Sequence, residues 1–350
     1  MTAPLTASDL TSIVHAGVRA PSADNQHCFK VHRDGDSLLL TGNEDFQAAP
    51  YHKKILGLIS FGAVVENMSV RAAQRGYQTR IQWYPDAPRR SLVARLEFTV
   101  EQARNHALDA AIATRHTNRR VLFRGPRLSQ ADQAIFNRLA AEDQGAQLDF
   151  LDDAEPRSRL LRLMRIAEAE RFNTPAMHHD LFSAVRFDVG WHTSAAIGLP
   201  PAALAVEPGA RWAFAQLRRW SVMNGLRKLG FHHLLGFRAA YLPCRLAPHV
   251  GVLSTHLSPE DGAPLIGRLL ERVWLTAEMQ GLAFQPFAGA ALLALGDYRD
   301  VPASTGDTLR RGWSTLLGER VPLMVFRLGH AKRPLIRSSR PNDLAAYLAA

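Results

Sequence analysis

The chain has 350 residues, of which 47% are hydrophobic and 21% are charged. This length and composition exclude wholesale disorder and allow two core-forming units. The two cysteines, Cys28 and Cys244, are too few for a disulfide framework, which favours a reducing compartment. The apolar runs are far shorter than the roughly 20 residues of a membrane-spanning helix, and the first of them contains Asp9. We therefore predict a cytoplasmic protein with no signal peptide and no transmembrane helix.

The formal net charge is +10. Such a charge suits a nucleic acid, a membrane surface or a compact anionic ligand such as a phosphate. The arginines are scattered along the chain instead of forming one basic tail, which argues against a nucleic-acid footprint. We predict a small-molecule ligand and neither nucleic acid nor a membrane as partner.

The N-terminal part contains helical periodicity over 8–20, a strand-like stretch over 28–42 and a longer helical pattern over 51–75. The segment APSADNQHCF lies between the first helix and the strand. Its residues Pro21, Ser22, Ala23 and Asn25 are typical of a loop that offers backbone and side-chain hydrogen bonds. By itself this segment is also compatible with an ordinary turn.

A second polar segment, ATRHTNRRVLF, contains Arg115, His116, Thr117 and Arg119. Arg115, Thr117 and Arg119 alternate, so an extended backbone would direct all three side chains to one place. Two guanidinium groups and a hydroxyl bind a phosphate dianion well. The pattern therefore predicts a phosphate site.

A helix over 129–143, a strand over 147–151 and a helix over 154–171 repeat the first three elements loosely. The following residues 172–248 are rich in Trp, Pro, Gly, Arg and His, and we interpret them as an insertion. Their large apolar side chains predict a lid over the ligand site, whereas the alternative is a helical layer packed away from it.

Two windows of the chain match in register. Gly, Glu, Ala and Gly recur in GAVVENMSVRAAQRGY, which begins at Gly62, and in GRLLERVWLTAEMQGL, which begins at Gly267. Each window is followed by a strand-like run, SLVARLEFTV in one case and VPLMVFRLG in the other. Two amphipathic helices can also match by chance, because period and cap constrain them. The repeated order nevertheless favours an internally duplicated α+β fold with halves at 1–110 and 111–350.

Familiar catalytic signatures are absent from the sequence. It contains no GxGxxG, Walker A, GxSxG or HExxH motif, and its paired histidines are adjacent instead of one helical turn apart. We predict no metal site. The tail RLGHAKRPLIRSSRPNDL brings Arg337, Ser339 and Arg340 after the last strand.

These segments together resemble the nitroreductase family, most closely its long single-chain branch of duplicated FMN-binding proteins. Family members have an APSxxNxQPW-like loop, an Arg-x-Ser-x-Arg-like phosphate motif and a basic exit from the last strand. They also have a Glu-Gly pair beside the flavin N5, where this sequence has Ala288 and Gly289. Further departures are His27 for glutamine and Thr117 for serine.

The resemblance implies one flavin site per chain. The loop of Pro21, Ser22 and Asn25 occurs only in the first half and the phosphate motif only in the second, so the pair of halves carries one complete set. No obligate homodimer is then needed for the site. Arg115, Arg119 and Arg340 would neutralise the FMN phosphate.

The implied activity is hydride transfer from NAD(P)H through FMN to a nitroaromatic or quinone-type acceptor. No catalytic side chain is required, because the flavin carries the chemistry. Two alternatives stay open at this point. One is a protein that stores FMN beneath a closed lid, and the other is a basic binder of nucleic acid or membrane surfaces.

Overall fold

The computed structural model describes residues 5–86, 88–103, 106–296 and 298–349. It is a mixed α+β structure with two four-stranded sheets in which every neighbouring pair of strands is antiparallel. The predicted α+β class is confirmed.

The first sheet is built from one continuous stretch of chain. Its elements are α1 (Ala7–Val18), β1 (Phe29–Asp34), β2 (Ser37–Gly42), α2 (Glu44–Ala48), α3 (Tyr51–Gln74), β3 (Tyr77–Trp83) and β4 (Leu92–Val100). The stretch 28–42, predicted as one strand, is a hairpin of β1 and β2. The reason is the turn at Gly35, whose φ of 58° favours glycine and reverses the chain.

The second sheet follows a helical connection. The elements that precede and form it are α4 (Asp109–Thr114), α5 (Gln130–Ala141), β5 (Ala146–Phe150), α6 (Ala154–Asn173), β6 (His249–Thr255), α12 (Pro259–Met279), β7 (Ala283–Phe287), α13 (Gly289–Ala294), α14 (Ala303–Leu317) and β8 (Val321–Gly329). Between α6 and β6 lie α7 (Pro175–Ser183), α8 (Arg211–Leu217), α9 (Trp220–Arg227), α10 (Phe231–Gly236), α11 (Leu242–Arg245) and short 3-10 and π turns.

The two sheets have the same internal order. The first is β1-β2-β4-β3 and the second is β5-β6-β8-β7. Each also has a register shift at the matching place, between Leu40 and Thr41 in β2 and between Leu253 and Ser254 in β6. The helix in the position of α3 is α12, and not the 154–171 helix that the loose sequence match paired with it. The duplication itself stays a prediction.

The connection between β5 and β6 is much longer than the one between β1 and β2. A two-residue turn joins β1 to β2, whereas 151–248 separate β5 from β6. This connection contains α6 as well as residues 172–248, and the interpretation of 172–248 as an insertion stays a prediction. Helix α6 packs with α13 and α14 on one face of the second sheet, so its apolar face belongs to a core of the domain.

The helices α3 and α12 cross at two glycines. A Cβ at Gly62 would overlap the carbonyl oxygen of Pro264, and a Cβ at Gly267 would overlap the carbonyl oxygen of Ile59. Each glycine thus faces the residue three positions before the other, which makes the contact reciprocal. Only glycine allows the two backbones to approach so closely.

Polar contacts fix the same crossing. Glu66 of α3 pairs with Arg268 at 2.8 Å and with Arg272 at 3.4 Å, both on α12. Pro264 lacks the N–H that would bond to the carbonyl of Glu260, and the hydroxyl of Tyr84 from the first half donates to that carbonyl at 2.7 Å. The packed core is continuous across both halves.

The C-terminal tail returns to the first sheet. The backbone N–H of Val31 in β1 donates to the carbonyl of Tyr347 at 2.7 Å, and the N–H of Ala349 donates to the carbonyl of Val31 at 2.9 Å. The tail therefore leaves β8 in the second half and ends beside β1 in the first.

Among the described residues, α3 is the one helix long and apolar enough to cross a membrane. The lengths of the apolar runs in the sequence did not identify α3 as such a helix. Of its apolar window, 83% is buried inside the protein. Its place between α1, α12 and the first sheet accounts for that composition.

The crossing generates a prediction about stability. Replacing Gly62 or Gly267 by Ala should lower the free energy of unfolding by about 3 kcal/mol or more, because the new methyl group forces the helices apart. Gly225→Ala is the matched control, since nothing lies near a Cβ at this helical position. It should be neutral or stabilise by up to about 1 kcal/mol. Urea unfolding measures all three, and equal effects would refute the importance of the crossing.

Candidate functional site

One cavity of about 1520 Å³ lies between the first-half loop, the phosphate-motif segment, the C-terminal tail and the inserted helices. All thirteen residues singled out in the sequence line it, and they are Pro21, Ser22, Ala23, Asn25, Arg115, His116, Thr117, Arg119, Ala288, Gly289, Arg337, Ser339 and Arg340. Tertiary structure thus brings together segments from both predicted halves.

The loop between α1 and β1 has a special backbone. Asp24 and Asn25 have φ values of 52° and 58°, a left-handed conformation that Asp and Asn tolerate better than most residues. The side-chain amide of Asn25 is buried and donates to the carbonyls of Ala195, Ala196 and Ser339. Asn25 therefore ties the loop to the insertion and the tail, and its amide donors act in positioning instead of facing a ligand freely.

Arg340 is the central cation of the tail. Its guanidinium donates to Ser22 Oγ at 2.9 Å and to the carbonyl of Ala20 at 2.6 Å. Burial, and next the repulsion from Arg115, lower the pKa of Arg340 to about 9. The charged form of this side chain therefore lacks full compensation by the protein.

Arg115 lies close to the same place. Its Nη2 donates to the carbonyl of Arg19 at 2.6 Å, and its guanidinium stacks over Trp274 at 4.5 Å from the ring centre. Its Nε is 3.0 Å from Glu271 Oε1, an ion-pair distance without the angle of a hydrogen bond. Burial raises the pKa of Glu271 to about 7, which Arg115 opposes. Glu271 thus balances these two cations only partly.

Arg119 has different neighbours. It donates to the carbonyl of Ala203 at 3.3 Å, and its pKa is lowered to about 10, first by burial. The charges that act on it are those of Asp24 and Arg171. The alternation in the sequence predicted that Arg115 and Arg119 face one anion. The structure instead gives them separate electrostatic surroundings in one cavity.

Three further predicted residues complete the phosphate-motif side. His116 Nδ1 lies 3.0 Å from the carbonyl of Thr114, and burial lowers its pKa. Arg337 donates to the same carbonyl at 3.1 Å. The N–H of Ser339 donates to the carbonyl of Ala195 at 3.0 Å, so the tail and the insertion support each other.

The turn after β7 presents Ala288 and Gly289 to the cavity. A Cβ at Gly289 would lie 2.8 Å from Glu168 Oε1, so the carboxylate of α6 reaches the backbone here. Glu168 also pairs with Arg171 at 3.3 Å. Sequence reasoning missed this Glu168–Arg171 pair, because nothing in the pattern of 154–171 distinguishes it from an ordinary i,i+3 pair on a helix.

The cavity is positively charged. Eight Arg and Lys side chains line it against five Asp and Glu side chains. Because several of these cations are buried, the field that they create is weakly screened. The arrangement favours an anionic ligand that can reach the Arg115–Arg340 pair.

The inserted segment forms one wall of this cavity. Residues 172–248 supply twenty-three of its lining residues, from Phe172 at the end of α6 to Pro243 of α11, and most of them lie on α7, α8, α9, α10 and the turns between these helices. The segment also has a small core of its own around Phe172, Phe182, Leu217 and Met223. It is therefore a folded layer that packs over the cavity, and whether it opens stays a prediction.

No family model matches this sequence. The uncharacterized protein MT1398 of Mycobacterium tuberculosis strain CDC 1551 is 25% identical over 360 residues, with 97% of this chain and 48% of that protein covered. The chain therefore spans about half the length of the curated relative that it matches.

Several solved structures are similar to this chain. The FMN-dependent nitroreductase NfnB from Mycobacterium smegmatis, in complex with NADPH, is 18% identical, covers 69% of this chain and 96% of its own, and has a TM-score of 0.36. A nitroreductase with bound FMN from Desulfitobacterium hafniense is 16% identical, with coverages of 68% and 95% and a TM-score of 0.36. A BluB-like flavoprotein from Clostridium difficile is 11% identical, with coverages of 68% and 96% and a TM-score of 0.38. Nitroreductases are thus among the proteins that this chain is similar to, as the sequence predicts.

Proposed function

We propose that this chain is an FMN-dependent oxidoreductase that takes hydride from NAD(P)H and reduces an organic acceptor. The observation that carries the proposal is the convergence of the thirteen predicted residues on one cavity containing the Arg115–Arg340 pair. The NADPH and FMN in the solved relatives agree with this choice of ligands.

The Arg115–Arg340 pair fits a phosphate group. The guanidinium groups of Arg115 and Arg340 repel each other there, and the pKa of the buried Glu271 beside them is raised to about 7. A phosphate dianion would supply the missing negative charge and accept charge-assisted hydrogen bonds. Ser22, which already bonds to Arg340, lies beside this position.

The remaining predicted residues fit the rest of FMN. Arg119 lies away from the Arg115–Arg340 pair and would supply positive charge to the ring system, while Gly289 offers close backbone approach. Thr117 and His116 line the intervening wall. Pro21, Ala23 and the backbone of Asn25 would bound the ligand from the first half.

Bound FMN would supply the redox chemistry, with the overall balance NAD(P)H plus H⁺ plus quinone giving NAD(P)⁺ plus quinol. The chain's own residues then hold the phosphate, orient the ring and exclude water. No side chain is required as a nucleophile. The reductant and the acceptor head group, nitroaromatic or quinone, remain parts of the proposal.

A second candidate is storage of FMN. The folded layer over the cavity favours it, because a wall that stays closed would keep NAD(P)H from the flavin. Bleaching of the yellow protein by NAD(P)H under anaerobic conditions separates an enzyme from a store. In either case we expect cytoplasmic protein and no homodimer requirement for the flavin site.

We predict one FMN per chain. The loop of 21–25 and the motif of 115–119 each occur once, and both line the same cavity. Heat-released flavin, measured against protein concentration in a fully loaded sample, should approach a ratio of one. Two flavins per chain would contradict the single-site proposal, and a chain that never binds FMN would contradict the function.

Arg340→Gln should weaken FMN by about 10- to 100-fold and leave riboflavin nearly unchanged, because a phosphate contact of about 1.5–3 kcal/mol is lost. Arg119→Gln is the matched comparison and should weaken both ligands alike, since Arg119 lies away from the Arg115–Arg340 pair. Fluorescence titration of the apoprotein measures the four dissociation constants. Equal loss of both ligands in Arg340→Gln would assign that side chain a structural role only.

If residues 172–248 act as a lid, they limit the access of NADH and NADPH to the flavin. A variant with residues 200–240 replaced by a short Gly/Ser linker should be reduced by NADH or NADPH faster than the intact protein, because part of the wall is removed. Anaerobic stopped-flow absorbance measures the rates, and FMN content confirms that the site survives. An unchanged rate in a variant that retains FMN would show that the segment does not limit entry.

A further inference from the structure

We propose that the wall formed by the inserted helices binds the hydrocarbon tail of the acceptor, so that the acceptor is a quinone carrying an alkyl or prenyl chain. The inference rests on the proposed function only in calling this ligand an electron acceptor. The binding of a tail by the wall is argued from the cavity itself.

The cavity is larger than one small ligand requires. Pockets for single small ligands occupy roughly 300–1,000 Å³, whereas this cavity measures about 1520 Å³. The Arg115–Arg340 pair and Gly289 lie on the segments outside the insertion. The volume is therefore sufficient for a second ligand beside a bound cofactor, on the side of the inserted helices.

Apolar and cationic side chains line different walls of the cavity. Eighteen of the twenty-three lining residues from 172–248 are apolar. In contrast, the loop, the phosphate motif and the tail supply five of the eight cationic side chains. An apolar surface of this extent stabilises a hydrocarbon and gives few partners to a polar ligand.

The three short helices direct apolar side chains at the cavity. Helix α8 contributes Trp212 and Ala213 besides the pair given below. Each helix contributes one pair of apolar lining residues spaced three or four positions apart, which places both members of the pair on one helical face. They are Phe214 and Leu217 of α8, Val222 and Leu226 of α9, and Phe231 and Leu235 of α10. Arg218 and Lys228, which directly follow α8 and α9, are exposed, whereas Met223 of α9 is buried in the core of the segment.

The entrance of the cavity is also apolar. Trp212 is 77% exposed and Leu335 is 94% exposed, yet both belong to the lining of the cavity. Large apolar side chains in this situation mark the mouth of the cavity. A mouth of this kind lowers the free energy of an entering hydrocarbon chain and not that of a charged one.

The polar end of the ligand also has a place. Arg171 lines the cavity, pairs with Glu168 and keeps 40% of its side-chain surface accessible. Its remaining N–H groups can donate to a quinone oxygen next to Gly289. The acceptor head would then lie at the Glu168–Arg171 pair while its tail extends along α8, α9 and α10.

Direct binding tests the proposal without turnover. Isothermal titration of the FMN-loaded oxidised protein, with no reductant present, should give a dissociation constant for 2-decyl-1,4-benzoquinone at least about tenfold below that of 2-methyl-1,4-benzoquinone. Each buried methylene strengthens binding by up to about fourfold. Equal constants would overturn the inference. Decanoate is a third ligand, and if it bound as tightly as the decylquinone, the quinone head would be refuted as the recognised group.

Variants locate the tail. Leu226→Glu should weaken the decylquinone about tenfold or more and leave the methylquinone unchanged, because it places a charge in the apolar wall. Leu229→Glu is the control, since Leu229 is 84% exposed and does not line the cavity. If both variants weakened the decylquinone equally, the tail would bind on the outer surface and the inference would fail.

Leu226→Trp provides a variant that keeps the wall apolar in case the glutamate disrupts the insertion. It should weaken the binding of the decylquinone and leave the binding of a butylquinone unchanged, because the larger side chain shortens the space along the apolar wall. Loss of tail preference in the titrations refutes the wall site even if FMN binds. Absence of FMN binding with tail preference intact refutes the proposed function and not the wall site.

Discussion

The close crossing of α3 and α12 is the contact on which the rest of the structure depends. Gly62 and Gly267 let the two backbones touch, so neither helix can slide or rotate without a clash. The crossing fixes the relative position of the two sheets, and with it the position of the first-half loop against the phosphate-motif segment. Trp274 and Glu271, which hold Arg115, both lie on α12 a short distance from that contact.

The buried arginines differ in how many hydrogen-bond partners the protein provides for their guanidinium groups. Arg327 is fully buried and donates to Gln285, to the carbonyls of Val121 and Pro243, and stacks over Phe123 at 3.9 Å. These partners satisfy the Arg327 guanidinium within the protein, which indicates a structural role. Arg340 and Arg119 are also enclosed but have fewer hydrogen-bond partners. Burial lowers the pKa of all three arginines, to about 10 for Arg327 and Arg119 and to about 9 for Arg340, so the number of partners is what distinguishes them. Incomplete compensation of a buried charge costs stability, and a binding site for an anion is a physical reason to retain it.

The insertion changes what the cavity can hold. Without it, the loop, the motif and the tail would leave the site open on one side. Helix α6 anchors the added chain in the core, and the three short helices beyond it supply an apolar wall. Anchoring is reinforced by Asn25, which bonds to the insertion and the tail at once. Wall and polar site are thus parts of one packed unit.

The sequence by itself determined the elements whose cause is local. The apolar period and the terminal glycines predicted the α3 and α12 helices, where Gly76 and Gly281 have φ values of 86° and 69°, and the β4, β6 and β8 runs appear as strands. It also identified thirteen residues that line one cavity. Only tertiary structure decided that Arg115 and Arg119 face different neighbours, that Asn25 holds three segments together and that Glu168 reaches Gly289. These outcomes depend on the packing of segments far apart in the chain, which residue patterns within one segment do not encode.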